Sequence, residues 1–488
     1  MDLNEVLEKY ELVVGIEIHA QLNTQSKAYC SDKNEFGQVP NTLISPISLG
    51  HPGTLPMFNK KVLEHAVKLG LACESKITKK MHFDRKNYFY ADLPKGYQIT
   101  QDKTPICEGG NIKIKLKNGT EKPIEITRIH MEEDSGKSIH DLDPFNTLID
   151  LNRAGVPLLE IVTEPVIKSS EEAYQYVTEI RKLLRYLDIC DGNMEEGSMR
   201  CDVNISIMPI GAKEFGQRVE IKNLNSIRNV QRSIDFEMVR HAELLEKKCA
   251  IHPETRTFDA PSGTTIGMRT KEAAHDYRYF PEPDLNPLSL SDEFIEKMKS
   301  IMPALPNELF KKYTQQFGLS DYDANNLTEL KEIANYFENI IEHTNNYKAA
   351  TNWIMGSIKS TLNQQAISID DFQIPPKFIA ELIEMIDKNQ ITHSLANQKL
   401  FSEMILNPST KPLDLAKKNN WIREKENEDK LEDIVKNILT SNPSETDRFK
   451  NGEKKLIGFF MGQIMKATKG TANPKSVSQL LNQIIKDF

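Results

Sequence analysis

Six cysteines in 488 residues are few, and they lack pairing: Cys30, Cys73, Cys107, Cys190, Cys201 and Cys249 include no Cys-x-x-Cys spacing. That argues against a standard cysteine zinc site and against a disulfide framework, so reduced thiols are expected. No apolar run approaches the roughly 18 to 20 residues that a membrane-spanning helix needs. A membrane is therefore not expected as a partner. The start, Met1-Asp2-Leu3-Asn4-Glu5, has neither the basic and apolar regions of a secretory signal nor the arginine-rich, acid-poor character of a transit peptide. The expectation is a cytoplasmic protein. A surplus of positive charge is also missing: 62 Lys and Arg stand against 70 Asp and Glu, a formal charge of −8. Nucleic acid would have to be held by a local patch, and one candidate is the stretch 450–488, with seven lysines against two acids.

What is present is enough chain for two or three ordinary cores, organised around the stretch Ile124 to Pro165. It contains Ile129-His130-Met131-Glu132-Glu133-Asp134-Ser135-Gly136-Lys137 and then Leu158-Leu159-Glu160-Ile161-Val162-Thr163-Glu164-Pro165. Carboxylates among Ile, Leu and Val cost several kcal/mol to bury without a counter-charge or a metal. In a strand Glu132 and Glu133 point to opposite faces and can serve two compartments. A metal site on one face and a pair of structural salt bridges both satisfy this stretch.

Leu12 to Leu22 reads as a β-branched strand on which Glu17 and His19 share a face. Such a pair can converge on Mg²⁺ or Mn²⁺, or form a surface pair. Residues 29–56, rich in Asn, Pro, Ser and Gly, read as a long loop, and 59–71 has helical spacing. Phe83 to Tyr90 and Asp92 to Gln98 press Arg85, Lys86 and Lys95 among aromatic rings. That composition suits a planar, phosphate-bearing ligand, or an aromatic core edge with solvated charges. Ile112 to Thr127 reads as a hairpin turning at Asn118-Gly119. Ser169 and Glu172 suggest a capping box that opens a helix to about Leu187, with Tyr174, Val177, Leu184 and Leu187 inward. Two charged strand faces follow, Arg200, Asp202 and Asn204, then Glu220 and Lys222 with Leu224 as a possible third. They suit a nucleotide or a second metal. A helix over 225–247 and the stretch Arg269 to Pro287, whose prolines stop regular structure, close the region. From about residue 291 glycine becomes sparse and helical patterns dominate, with a softer boundary near 410. The Gly-bearing apolar helix near Lys454 to Gly470 sets lysines where they could meet a phosphate backbone or simply solvent.

Together these runs resemble the B-subunit family (GatB/GatE) of the tRNA-dependent aspartyl/glutamyl amidotransferases. The motifs that carry the likeness are Val14 to His19, Phe83 to Tyr90, His130 to Asp134, Asp150 to Glu160, Met194 to Ser198, Lys222 to Ser226, Asp276 to Pro283 and Gly462 to Gly470. The resemblance implies an α+β fold with a glutamine-synthetase-like cradle over 1–290, carrying kinase and transamidase chemistry. A helical domain over 291–410 and a small YqeY-like, tRNA-contacting helical tail over 411–488 would follow. It implies ATP-dependent phosphorylation of the side-chain carboxylate of Glu-tRNA(Gln) or Asp-tRNA(Asn), then amidation with ammonia. The ammonia would come from an amidase A subunit, with a small C subunit completing a heterotrimer. Carried over, His19, Glu132 and Glu160 would bind Mg²⁺ (or Mn²⁺), with Glu17 at or near a second metal. Lys95 and Glu133 would gate the ammonia route. Lys86, Arg200, Asp202, Glu220 and Lys222 would contact nucleotide or acyl phosphate. Many relatives carry a zinc knob, but here Cys30 stands alone and Ser45-Pro46-Ile47-Ser48 replaces its partners, so no zinc is expected. A non-catalytic tRNA-binding or assembly subunit, and a free-standing carboxylate–ammonia ligase, remain as alternatives.

Overall fold

The alternation from Leu12 onward produces β1 (Tyr10–Gln21), which lies in the middle of a ten-stranded sheet. The computed structural model describes residues 1–270, 277–422, 427–468, 472 and 474–487. It divides into two compact units, Met1–Pro306 and Asn307–Phe488. The large sheet belongs to the first unit. Its other principal strands are β2 (Asn111–Lys115), β3 (Glu121–Glu133), β4 (Pro157–Thr163), β5 (Met199–Pro209), β6 (Val219–Leu224), β7 (Glu254–Asp259) and β8 (Thr264–Thr270). The order is β8-β7-β6-β5-β1-β4-β3, continuing through Cys107–Glu108 and Lys76–Ile77, with β2 also paired to β3. The fold is mixed α/β, and only β6 and β7 of these neighbours run parallel.

Period-two patterning makes the two faces of β1 different. Leu12, Val14, Ile16, Ile18 and Ala20 are buried in one hydrophobic core. They share it with apolar residues of helices α1 (Lys60–Ala72), α2 (Ser170–Tyr186) and α3 (Ile227–Glu246). At about 1.5–3 kcal/mol for each aliphatic side chain buried, slipping the register by one residue would be prohibitive. Gly15, Glu17, His19 and Gln21 face the other way and remain half-buried. That open face carries the charged residues.

Local chemistry starts each helix where a cap is available. Asn59, Ser169 and Ser226 accept the first free N–H groups of α1, α2 and α3. The capping box expected at α2 is half formed: Ser169 accepts from Glu172 N at 3.1 Å. The Glu172 carboxylate instead takes the Lys168 N–H and the Lys122 ammonium, both at 2.7 Å. Within α2 it is Tyr176 that is fully buried and Tyr174 that is half-exposed, because the inward stripe continues through Ala173, Val177 and Ile180. The hairpin β2–β3 forms with Gly119 at a φ of +86°, a conformation glycine adopts without strain. Leu224 does not share the face of Glu220 and Lys222. The left-handed backbone at Asn223 (φ +60°) breaks the alternation, and Leu224 turns into the core.

Every regular element among the described residues of the second unit is a helix. Near its end Val435, Leu439, Phe449, Phe460, Ile464, Val477, Leu481 and Ile484 make a core of their own. Asp276 and the terminal Lys469-Gly470 lie outside the described residues.

Where α3 packs on β7 and β8, Glu237 is completely buried against Arg240 (2.8 Å), Arg256 (3.1 Å) and His241 (3.1 Å). Burial alone would raise its pKa, but hydrogen bonds from His241 and Arg240 prevail and hold it at about 2. A carboxyl depressed in the fold stabilises it fully above the unfolded value of 4.5, and this contribution is lost as pH falls from there toward 2. Glu237→Gln should therefore cost about 3 kcal/mol at neutral pH. It should also flatten the acid decline of the urea midpoint across that window.

Candidate active site

A single row of side chains crosses four adjacent strands of the open face. Register places Arg200 of β5 opposite His19 of β1, His19 opposite Glu160 of β4, and Glu160 opposite His130 of β3. Directly opposed residues in antiparallel strands bring their Cβ atoms to about 5 Å, so a row of ionisable groups must interact. Glu132, two residues beyond His130 on β3, joins from the same face. His19 Nε2 lies 3.2 Å from Glu160 and 3.5 Å from Glu132. His130 Nε2 is 3.2 Å from Glu160 and 3.8 Å from Glu132.

Both carboxylates are buried, and the imidazoles make that tolerable. Burial works against the charge on Glu160, but His130 and His19 outweigh it and hold its carboxyl well below the ordinary range. For Glu132, burial and the neighbouring Glu160 both push the pKa up, yet His130, Lys86 and His19 bring it down. The reciprocal effect overcomes burial at His130 and raises its pKa to about 9.

Over this cluster stands a small three-stranded sheet of Asp84–Asn87, Tyr97–Thr100 and Phe280–Pro281. The Thr100 hydroxyl donates to Glu132 at 3.3 Å. Burial opposes the Lys86 charge, but Glu132 and Glu160 more than compensate, so its pKa is raised. The Lys86 ammonium lies 5.0 Å from the Tyr277 ring centroid. Arg85 is engaged elsewhere, in a two-point pair with Glu282 at 2.7 and 2.8 Å. At the other end of the row Arg200 Nη2 meets Asp134 at 2.5 Å, and Gln21 and Arg153 also reach Asp134. Along β5 and β6, Lys222 bridges Asp202 (2.6 Å) and Glu220 (3.1 Å). Glu17 faces the same side, where it accepts from Asn204 at 2.9 Å.

Glu133 projects through the opposite face of β3. Its Oε1 pairs with the Lys95 ammonium and accepts the Ile99 N–H at 2.9 Å. The pair lines a second cavity, about 140 Å³, with Tyr29, Tyr97, Ser48 and Gly155. One peptide unit thus separates two chemically distinct chambers. Cys30 lines this second chamber, and the Ser48 hydroxyl there donates to Asp32 at 2.7 Å.

Of the residues expected to bind metal, the fold brings His19, Glu132 and Glu160 together, with one donor atom from each inside a 4.8 Å span. Glu17 is not in that group. Two carboxylate oxygens and an imidazole nitrogen suit a hard divalent cation such as Mg²⁺ or Mn²⁺. Lys86 stands beside the cluster, Arg200 at the end of its row, and Asp202, Glu220 and Lys222 form a separate ionic triad. Two participants had no assigned role in the sequence. His130 shares the parity of Glu132, which was a usable signal, but its position opposite Glu160 depends on strand pairing. Asp134, the carboxylate that anchors Arg200, depends on the same long-range pairing.

The chain matches the GatB/GatE catalytic domain over residues 12–296 and a GatB domain over residues 335–485. Among curated proteins it is 46% identical over 479 residues to the B subunit of the aspartyl/glutamyl-tRNA(Asn/Gln) amidotransferase of Thermodesulfovibrio yellowstonii, covering 98% of this chain and 100% of that protein. The identically named proteins of Caldicellulosiruptor bescii and Chlorobium chlorochromatii are 45% and 44% identical over 97% of this chain and 99% and 98% of theirs.

A ligand set ordered by its neighbours loses affinity when a neighbour is removed. His130→Ala, which leaves His19, Glu132 and Glu160 in place, should weaken Mn²⁺ binding about 10- to 100-fold, and Glu160→Gln should weaken it further. Titration followed by the electron paramagnetic resonance of free Mn²⁺ measures both. Unchanged binding in Glu160→Gln would show that these residues do not hold the ion.

Proposed function

The chain belongs to the GatB/GatE family, and on that premise we propose that it is the B subunit of a tRNA-dependent amidotransferase. In this reading it phosphorylates the side-chain carboxylate of Glu-tRNA(Gln), Asp-tRNA(Asn) or both with ATP, and amidates the product with ammonia from a glutaminase A subunit. A small C subunit completes the heterotrimer. The open face is then the floor of a glutamine-synthetase-like cradle in residues 1–290, followed by a helical domain over 291–410 and a helical tail over 411–488 that contacts tRNA. The observation that carries the reading is the arrangement on β3. Glu132 joins His19 and Glu160 beside Lys86 on one face, while Glu133 joins Lys95 on the other.

A carboxylate is a poor acyl donor because its leaving group would be oxide. Attack of a substrate carboxylate oxygen on the γ-phosphorus of ATP, with departure of ADP, converts it into an acyl phosphate. Attack of the ammonia nitrogen on that carbonyl carbon then expels inorganic phosphate and leaves the amide after loss of one proton. His19, Glu132 and Glu160 would hold Mg²⁺ or Mn²⁺, with Glu17 near a second ion, and the bound cation would supply charge neutralisation for phosphoryl transfer; no zinc is expected. Lys86 and Arg200 draw the anionic groups onto the row. Asp202, Glu220 and Lys222 fix the nucleotide side of the cleft. Nitrogen enters as neutral ammonia from the chamber of Lys95 and Glu133, whose ion pair gates the passage. Delivery of neutral ammonia through a dry passage prevents its loss to water.

The test is amidation by the assembled enzyme with either glutamine or free ammonium as nitrogen source. Glu132→Gln should lower the rate with both sources by about 100-fold or more, while remaining folded. Lys95→Ala should lose the glutamine-supported rate and keep most of the ammonium-supported one. A folded Glu132→Gln enzyme as active as the wild type would overturn the catalytic assignment and favour the tRNA-binding or assembly role.

A further inference from the structure

Behind the second chamber lies a charged side chain that the chemistry above does not use. Lys27 is completely buried, and among the described residues no other lysine or arginine is buried. An ammonium taken out of water is costly unless an anion or several acceptors surround it. Among the described residues this one donates to the Leu43 carbonyl at 2.7 Å and forms no ion pair. Burial lowers its pKa, while Cys30, Asp32, Glu133 and Asp150 pull it back up. The backbone around it is pinned. Lys27 N donates to Asp32 O at 3.0 Å, Ala28 N to Gly155 O at 2.9 Å, and the Asn59 amide reaches Lys27 O at 3.3 Å.

What this fixed cation faces is the back of the gate. A Cβ on Gly155 would stand 3.5 Å from Lys27 Cδ and 3.8 Å from Glu133 Oε2, so the lysine stem and the carboxylate close in on one point. The two oxygens of Glu133 are used differently. Oε1 takes the Lys95 ammonium and the Ile99 N–H, whereas Oε2 has no hydrogen-bond partner among the described residues. Lys95 has other places to go, since its ammonium lies 5.4 Å from the Tyr97 ring centroid and 5.9 Å from that of Tyr29. Glu133 does not. With Lys95 swung aside, a carboxylate only 2% exposed would keep just the Ile99 N–H.

We propose that Lys27 is the fixed counter-ion of this gate, the cation that stabilises the Glu133 carboxylate each time Lys95 releases it. The inference rests on the ammonia route described above. A charge that cannot move compensates the open and closed states alike, while Lys95 compensates only the closed one, so Lys27 lowers the electrostatic cost of opening. It is a positioning residue, acting through Glu133. The same side chain ties the loop 29–56 down at Leu43. That loop lies against the Lys95 stem at Gly50, where a Cβ would come within 2.6 Å of Lys95 Cγ. Charge and anchoring are separable by substitution.

Lys27→Met keeps the length of the side chain without its charge, and Lys27→Gln keeps an N–H able to donate to the Leu43 carbonyl. In the assembled enzyme, the ratio of glutamine-supported to ammonium-supported amidation should fall about tenfold in both. Glutamate should be released in excess of amide, because ammonia is produced but not passed on. Adding Lys27→Met to a Glu133→Gln enzyme should lower the ratio no further, since the charge to be compensated is gone. A ratio restored by Lys27→Gln would assign the effect to the anchored loop and overturn the counter-ion role. So would an unchanged ratio in either assembled variant, or a further tenfold fall in the Glu133→Gln background. Failure of both variants to assemble would make Lys27 a structural residue and overturn it too. A wild-type enzyme that forms no amide from either nitrogen source would instead remove the amidotransferase reading, and this proposal with it.

Discussion

Two carboxylates buried side by side are the constraint around which the first unit is arranged. Glu132 and Glu160 remain ionised because His19 and His130 are held against them, with Lys86 adding to the effect at Glu132. His19 meets both carboxylates, and His130 meets Glu160, only through the order β1-β4-β3 and its register. The register is in turn held by the aliphatic residues on the opposite face of the same strands. Burial of Ile16, Ile18, Leu159 and Ile161 against the helices therefore aims the charged groups on the other side. Core packing and site electrostatics are two sides of one alternation.

That alternation is why much of the site was legible in the sequence. Glu17 and His19 sharing a face, Glu132 and Glu133 diverging, and Arg200, Asp202 and Asn204 aligning all follow from a period of two. The strands do adopt that period. The likeness to known B subunits supplied the grouping of His19 with Glu132 and Glu160, which no local pattern contains.

What escaped the sequence depends on pairing or on a local break in the period. His130 acquires its partner only through register with Glu160, and Arg200 finds Asp134 66 residues away. Leu224 reads as a face-mate of Lys222 until the left-handed turn at Asn223 reverses it. The Ser169 cap was readable, but not that Glu172 would be drawn off to Lys122 across 50 residues, because a charged partner competes well with a backbone N–H.

The neighbouring placement of Glu132 and Glu133 also bears on how this chain can change over generations. Insertion or loss of one residue within the paired part of β3 would exchange the two side chains, sending Glu133 toward His19 and Glu160 and Glu132 toward Lys95. No point substitution could repair that exchange, because it would also turn Ile129 and Met131 out of the core. The turn at Asn118-Gly119, at the far end of the same strand, can lengthen or shorten without shifting that parity. Tolerance to length change should therefore rise steeply along one hairpin, from none near Glu132 to ordinary loop variability about a dozen residues away.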